Sequence, residues 1–336
     1  MSECEPVPVN FFALDLSQPV EPHVLSQLSR ACREWGFFYV TNCGISKDTY
    51  GKICSYSKEI FELPLCQKLK IGPSSALQTY TPPFIASPFF ECIKVSGPDF
   101  LDSAKESADE LFARDNSGFC KLLQEYGLKM EELAKKIMQI LLLATLGHES
   151  LKKFDEREFS ECHGYFRLVN YSPPGYVKER EAEGLGMHTD MSCITILFQD
   201  EIGGLQMRTR KGQWMDIMPC EESLVVNVGD LMQAWSNDQL RSCEHRVILR
   251  QAVNRLSLPF FWCFQDDKVV SAPDEVMGKG NPRLYEPFVC RDYLKFRESN
   301  EEGKFEKIGF GVKDFAGVKT HHHLDRNPEP DMAYVT

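Results

Sequence analysis

Between Glu161 and Gln265 the chain alternates short β-prone runs with turn residues: YFRLVNY, CITILFQ, GLQMRT, QWMDIM, SLVVNVG, CEHRVILR and RLSLPFFWCF. Runs of this kind at a spacing of about 8 to 15 residues predict an all-β sandwich or barrel. The preceding sequence reads differently. PVNFFAL (8–14) is a short β-prone run, and Glu21 to Trp35 repeats Val24, Leu25, Leu28, Ala31 and Trp35 at helical spacing until Gly36 stops it. GFFYVTNCGI (36–45) is strand-like, and a second helix is expected over Lys47 to Leu63, before Pro64. Phe119 to Gly147 carries Leu122, Leu123, Tyr126, Met130, Leu133, Ile137, Ile140, Leu141 and Ala144 on one stripe, the clearest helix of the chain. The helices are expected to pack outside the β unit, giving an α+β fold. The intervening Ile71–Gly118 segment, punctuated by Pro and Gly around Tyr80, Phe84, Phe89 and Phe90, reads equally as a lid or binding loop and as a packed connection.

A chain of 336 residues, 43% hydrophobic and 26% charged, buries a sizeable core and is ordinary for a globular protein. Its 38 basic residues against 49 acidic ones leave a net charge of −11. Nucleic acid and anionic membrane are therefore not expected as partners. The longest apolar stretch, IMQILLLATL (137–146), is about half the roughly 20 residues of a membrane span and is read as a buried helix. No secretory signal is read in MSECEPVPVNFFALDL. Thirteen cysteines without a Cys-x-x-Cys pair are read as reduced, buried residues, which points to the cytosol or nucleus.

The run GMHTDMSCITILFQD holds the first chemical signal. His188 and Asp190, two apart, would share one face of a strand with Cβ atoms about 7 Å apart, near enough for both donors to reach one ion. Taken alone, such a pair is also a common hydrogen-bonding arrangement. Of the eight histidines, His321 to His323 fall in the polar tail, whereas His245 lies in CEHRVILR, a later run of the same β region. Two histidines and one carboxylate on one face of an ion leave the opposite positions open, as in non-haem Fe(II) oxygenases. In NRLSLPFFW, Arg255 and Ser257 share a strand face opposite Leu256, Leu258 and Phe260. That pair either lies on a solvated face or points inward to receive a carboxylate.

These motifs resemble the plant Fe(II)/2-oxoglutarate-dependent dioxygenases. HTDMSCITILFQDEIGGLQM, GQWMDIMP, SLVVNVGDLMQAWSND, SCEHRV and NRLSLPFFW are similar to their catalytic core, and ACREWGFFYVTNCGI and FELPLCQK to the region before it. The resemblance implies a double-stranded β-helix (jelly-roll) core at 159–265, an N-terminal α/β cap at 8–118, a packing helix at 119–158, and a C-terminal helix and tail at 266–336. It makes His188, Asp190 and His245 the Fe(II) ligands and Arg255 and Ser257 the clamp for 2-oxoglutarate. Dioxygen takes the last iron position, and the reaction yields succinate, carbon dioxide and an oxidised C–H bond. Asn42-Cys43-Gly44 stands where the family has Asn-His-Gly, and VNYSPPG departs by Ser172 from the family's pattern, so Asn170 and Tyr171 are candidate cosubstrate contacts. Ile194, Ile196, Leu205, Val247, Phe260 and Trp262 are apolar neighbours suited to keeping water out or to forming plain core.

YTPPFIASPFFE, WSNDQLRSCEHRVIL and FFWCF resemble gibberellin-oxidase-like members. The expected substrate is a small, apolar, carboxylated metabolite, a gibberellin-type diterpenoid or precursor. Tyr80, Phe84, Phe89 and Phe260 are candidate wall residues, and Arg167 and Lys94 candidate cations. A monomer is expected. Other readings are the same chemistry on an auxin, flavonoid or alkaloid, an oxygenase that uses the Arg-x-Ser pair without 2-oxoglutarate, and a non-catalytic ligand-binding jelly roll.

Overall fold

A computed structural model describes residues 11–151, 159, 161–173, 181–277, 280–299 and 311–318. The first part of the chain forms β1 (Ala13–Asp15), α1 (Pro22–Glu34), β2 (Phe37–Thr41) and α2 (Lys47–Glu62). Each helix starts where the sequence supplies a reason: Pro22 occupies the first turn of α1, and the Ser46 hydroxyl accepts from the Thr49 N–H at the head of α2. A short helix α3 (Leu65–Lys68) and a 3₁₀ turn lead to β3 (Tyr80–Thr81), β4 (Phe90–Ser96) and α4 (Phe100–Leu111), the last capped by Asp99. The segment expected to be irregular thus contains a seven-residue strand and a three-turn helix. Helix α5 (Ser117–Leu151) includes the expected apolar stripe and is broken at Gly147, whose φ of 72° leaves helical geometry.

The β region comprises β5 (His163–Tyr171), β6 (Ala182–His188), β7 (Ile194–Gln199), β8 (Leu205–Arg208), β9 (Trp214–Asp216), β10 (Ser223–Val228), the short helix α6 (Asp230–Trp235), β11 (His245–Leu249) and β12 (Arg255–Cys263). After it come β13 (Val269–Val270), α7 (Asp274–Met277), β14 (Phe288–Val289), α8 (Cys290–Ser299) and α9 (Val312–Ala316). The expected end of the packing helix at 158 and the polar tail with His321, His322 and His323 lie outside the described residues.

Eight strands pair in the order β1-β2-β10-β7-β12-β5-β4-β3, and four in the order β6-β11-β8-β9. This is the jelly roll: two sheets enclosing a cavity lined from both inner faces. The N-terminal α/β region is joined to this core through the larger sheet. Its strands continue the larger sheet on both sides, β2 against β10 (Val40↔Leu224) and β4 against β5 (Ile93↔Leu168).

Side-chain alternation then divides the core in two. On the outer face of the larger sheet Ile194, Ile196, Phe260, Trp262 and Phe166 pack against Tyr126 and Met130 of α5 and Phe100 of α4. On the inner face Val169, Tyr171, Leu205 and Val247 form a separate cluster between the sheets. Every cysteine among the described residues is a free thiol, and no helix among them is long and apolar enough to cross a membrane.

Candidate active site

β6 and β11 run antiparallel, with His188 and His245 as direct partners. Cross-strand neighbours in a sheet lie close enough for their side chains to meet. Here the imidazole centroids are 4.3 Å apart. Each ring is fixed by a backbone carbonyl two residues upstream: His188 Nδ1 lies 2.8 Å from Gly186 O, and His245 Nδ1 lies 3.0 Å from Cys243 O. A carbonyl only accepts, so both Nδ1 atoms carry the proton and both Nε2 atoms present lone pairs. Each Nε2 lies 3.7 Å from the same atom, Asp190 Oδ1. The other carboxylate oxygen, Oδ2, accepts from Thr195 Oγ1 at 2.6 Å and Asn227 Nδ2 at 2.8 Å.

Asp190 does not share a strand with His188, as the sequence pattern suggested. β6 ends at His188, and Asp190 stands in the turn that carries the chain into β7 in the other sheet. This turn is gripped from behind: the N–H groups of Gly229, Asp230 and Leu231 donate to the carbonyls of Cys193, Asp190 and Ser192. Only glycine fits at 229, because a Cβ there would lie 2.0 Å from Ser192 O.

The electrostatics suit a cation. Burial, and after it the neighbouring His245, holds the His188 pKa down at about 3, so the ring is neutral at pH 7. Burial opposes ionisation of Asp190, yet His245, His188, Thr195 and Asn227 together keep its pKa below the usual carboxylate value. One carboxylate oxygen and two imidazole Nε2 atoms therefore face one point. Their donor atoms all lie within 4.8 Å of one another. A separation of 3.7 Å is too long for a hydrogen bond but is spanned by an ion with ligand bonds of about 2.0 to 2.2 Å. The donor set fits a divalent metal.

The same cavity, about 230 Å³, reaches Arg255 and Ser257 on β12. Arg255 is buried at 1% exposure, so the inward reading holds and the solvated one does not. Its Nε donates to Gly203 O, its Nη2 to Gln199 Oε1 at 3.2 Å and its Nη1 to Ser257 Oγ at 3.3 Å. The guanidinium carbon stands 5.0 Å from the Tyr171 ring centroid. Burial pushes the Tyr171 phenol up to about 12, so it remains a donor at neutral pH. Asn170, the adjacent residue, points to the other face of the sheet, where its Nδ2 donates to Glu91 Oε1 and Ser172 Oγ.

Along the same inner face, Arg167 and Tyr165 of β5 and Phe261 of β12 also line the cavity. Arg167 Nη1 approaches Cys92 Sγ at 3.1 Å, and Lys94, its cross-strand partner, lies 4.6 Å from the Tyr165 ring centroid. Burial and the Arg167 charge both hold the Lys94 pKa below its ordinary value. Among the described residues no carboxylate lies within ion-pair distance of either cation.

The four aromatic wall candidates are not among the cavity-lining residues. Phe260 is fully buried on the outer face, stacked with Trp262 and packed on Phe100, because its parity along β12 is that of Leu256 and Leu258. Tyr80 donates to Glu91 Oε2 at 2.6 Å away from the cavity, Phe84 is 79% exposed, and Phe89 packs half-buried beside the inner cluster. Thr81, Ile85, Ala86, Phe90 and Phe261 line the cavity instead. Leu205 and Val247 line it as well, whereas Ile194, Ile196 and Trp262 join Phe260 on the outer face. Thr195 and Asn227, which hold Asp190, were not singled out from the sequence. A polar residue interrupting the apolar run SLVVNVG was the available signal.

Comparison with known proteins agrees with this geometry. Residues 164–264 match the 2OG-Fe(II) oxygenase superfamily, and residues 7–88 match the non-haem dioxygenase in morphine synthesis N-terminal family. A gibberellin 20-oxidase-like protein of Arabidopsis thaliana is 52% identical over 319 residues, covering 91% of this chain and 97% of that one. Gibberellin 20 oxidase 1 of the same plant is 33% identical over 85% of this chain and 77% of its own. The solved structure of a rice dioxygenase for auxin oxidation superposes with a TM-score of 0.74 at 26% identity, covering 92% of this chain and all of that one. With these relatives matched along more than three quarters of their length, the chain belongs to the 2OG-Fe(II) oxygenase superfamily, in its gibberellin-oxidase-like branch, and is an Fe(II)- and 2-oxoglutarate-dependent dioxygenase.

Proposed function

We propose that this dioxygenase oxidises a C–H bond of a small, apolar, carboxylated metabolite, a gibberellin-type diterpenoid or its precursor. His188, Asp190 and His245 would hold Fe(II), and Arg255, Ser257 and Tyr171 the distal carboxylate of 2-oxoglutarate. Bound Fe(II) supplies dioxygen activation, coupling cosubstrate decarboxylation to oxidation of the substrate. The chain's own residues do the rest. Thr195 and Asn227 keep Asp190 aimed with one oxygen toward the metal position, and the two backbone carbonyls keep both imidazoles in the ligating tautomer. Leu185, Leu197, Leu205 and Val247 line the cavity with hydrocarbon and limit its water.

The observation that carries the substrate reading is Arg167. A guanidinium lining an apolar cavity that also holds the three metal-type donors, with no carboxylate in reach among the described residues, is complementary to an acid group on the substrate. The gibberellin 20-oxidase-like relative supports the diterpenoid class. An auxin is the second reading, favoured by the rice auxin dioxygenase, because an indole carboxylate would satisfy the same cation.

The test is succinate release and product mass spectrometry with gibberellin precursors, indole acids, neutral flavonoids and the methyl esters of the acids. Coupled turnover is expected for a diterpenoid acid and not for its ester. Arg167→Met should raise KM for the acid about 10- to 100-fold, the worth of a charge-assisted contact. Equal turnover of acid and ester would refute the anchor, and preference for an indole acid would replace the diterpenoid reading with the auxin one.

A further inference from the structure

Thr189 stands between His188 and Asp190, so its backbone sets the directions in which both flanking side chains leave the turn. Helix α8 reaches this residue from a distant part of the chain. Arg297 of α8, only 7% exposed, donates from Nη2 to Thr189 O at 3.2 Å and from Nη1 to Thr189 Oγ1 at 3.1 Å. Its Nη1 also donates to Asp230 Oδ2 at 2.7 Å. Asp230 closes the circuit: its Oδ2 accepts from Thr189 Oγ1 at 2.9 Å and from the Tyr293 hydroxyl, and its N–H donates to Asp190 O at 2.8 Å. Asp230 is 2% exposed and Tyr293 fully buried, so water competes little for the bonds at Asp230.

We infer that Arg297 is a positioning residue for the metal centre: its fork, anchored on Asp230, holds the Thr189 peptide so that His188 and Asp190 converge with His245 before a metal arrives. This rests on the reading of those three residues as the iron ligands. A guanidinium presents several donors in one rigid plane and satisfies Thr189 O, Thr189 Oγ1 and Asp230 together. A lysine keeps the charge that Asp230 requires but not the fork. Tyr293 touches Asp230 and Arg297 without touching Thr189, which makes it the natural control.

The experiment is anaerobic Fe(II) titration of the full-length, metal-free protein, followed by 2-oxoglutarate addition while the visible charge-transfer band of the chelate is recorded. Arg297→Lys is expected to weaken Fe(II) binding about 10-fold or more, as loss of an outer-sphere partner does, and to displace or broaden the band. Tyr293→Phe is expected to keep Fe(II) affinity within about twofold of wild type, below the range typical for such losses. A folded Arg297→Lys variant with wild-type affinity and an unaltered band overturns the inference, as does an equal loss in Tyr293→Phe, which would mean that general support of Asp230 matters rather than the Thr189 link. If Arg297→Lys does not fold, Thr189→Val, which cuts one of the two links, decides the matter: weakened Fe(II) binding supports the inference and unchanged binding overturns it. A wild-type protein that takes up no Fe(II) refutes the ligand reading itself, so the two failures are distinguishable.

Discussion

Replacing Arg255 by Leu is expected to separate cosubstrate binding from iron binding. The guanidinium is anchored through Nε on Gly203 O, which leaves its two Nη groups, beside Ser257 Oγ and Gln199 Oε1, as the edge available to an incoming carboxylate. Two charge-assisted hydrogen bonds at about 1.5 kcal/mol each, the low end of their range, amount to about 3 kcal/mol, or a roughly 100-fold weaker 2-oxoglutarate complex. The substitution also strands Gly203 O in a buried site, so the metal-free protein should lose about 1 to 3 kcal/mol of stability. Arg255→Lys retains the charge and should lose less affinity, about 10-fold, because the fork is lost but not the attraction. The assay is anaerobic: load Fe(II), confirm its stoichiometry, then titrate 2-oxoglutarate against the visible charge-transfer absorbance. Iron stoichiometry is expected to equal wild type in both variants while the cosubstrate midpoint moves. An unmoved midpoint in a folded Arg255→Leu protein would refute the clamp and raise the alternative in which this pair serves another carboxylate.

The remaining expectations concern the ligands and the two faces of β12. His188→Ala and Asp190→Ala should each abolish iron retention and turnover, and wild-type iron content after desalting in both would refute the triad. Phe260→Ala should destabilise the fold by about 3 to 5 kcal/mol with little change in KM, since the ring fills the outer core beside Phe100 and Trp262. Phe261→Ala, one residue along but facing the cavity, should alter substrate KM more than the melting temperature. The opposite pattern would mean that the strand's parity is reversed.

What the sequence disclosed follows from where periodicity carries information. β12 alternates cleanly, so Arg255 and Ser257 were assigned to one face and proved to point into the cavity. The same alternation places Phe260 with Leu256 on the opposite face, in the outer core rather than in the cavity wall. β6 is hard to read because AEGLGMH offers one acid and two glycines in place of an apolar rhythm, so His-Thr-Asp reads as the start of the next strand. β4 escaped because it follows a stretch rich in Pro and Ser, and most of its residues are buried rather than alternating. The circuit through Arg297 was illegible in principle: more than a hundred residues separate it from Thr189, and only the packing of α8 joins them.

The way β2 and β4 enter the larger sheet bears on how such a chain can be divided. The two stretches matched by separate family models, 7–88 and 164–264, invite treatment as exchangeable modules. Pairing of Val40 with Leu224 joins the two stretches in one sheet instead, and β4, just beyond the first stretch, extends the same sheet through Ile93 and Leu168. Excision of residues 161–265 alone would uncover β10 on one side and β5 on the other, two unprotected edges available to any other extended chain. A chimaera joining this C-terminal half to a relative's N-terminal half would therefore inherit a register problem at both borders, and its first symptom would be aggregation rather than altered specificity.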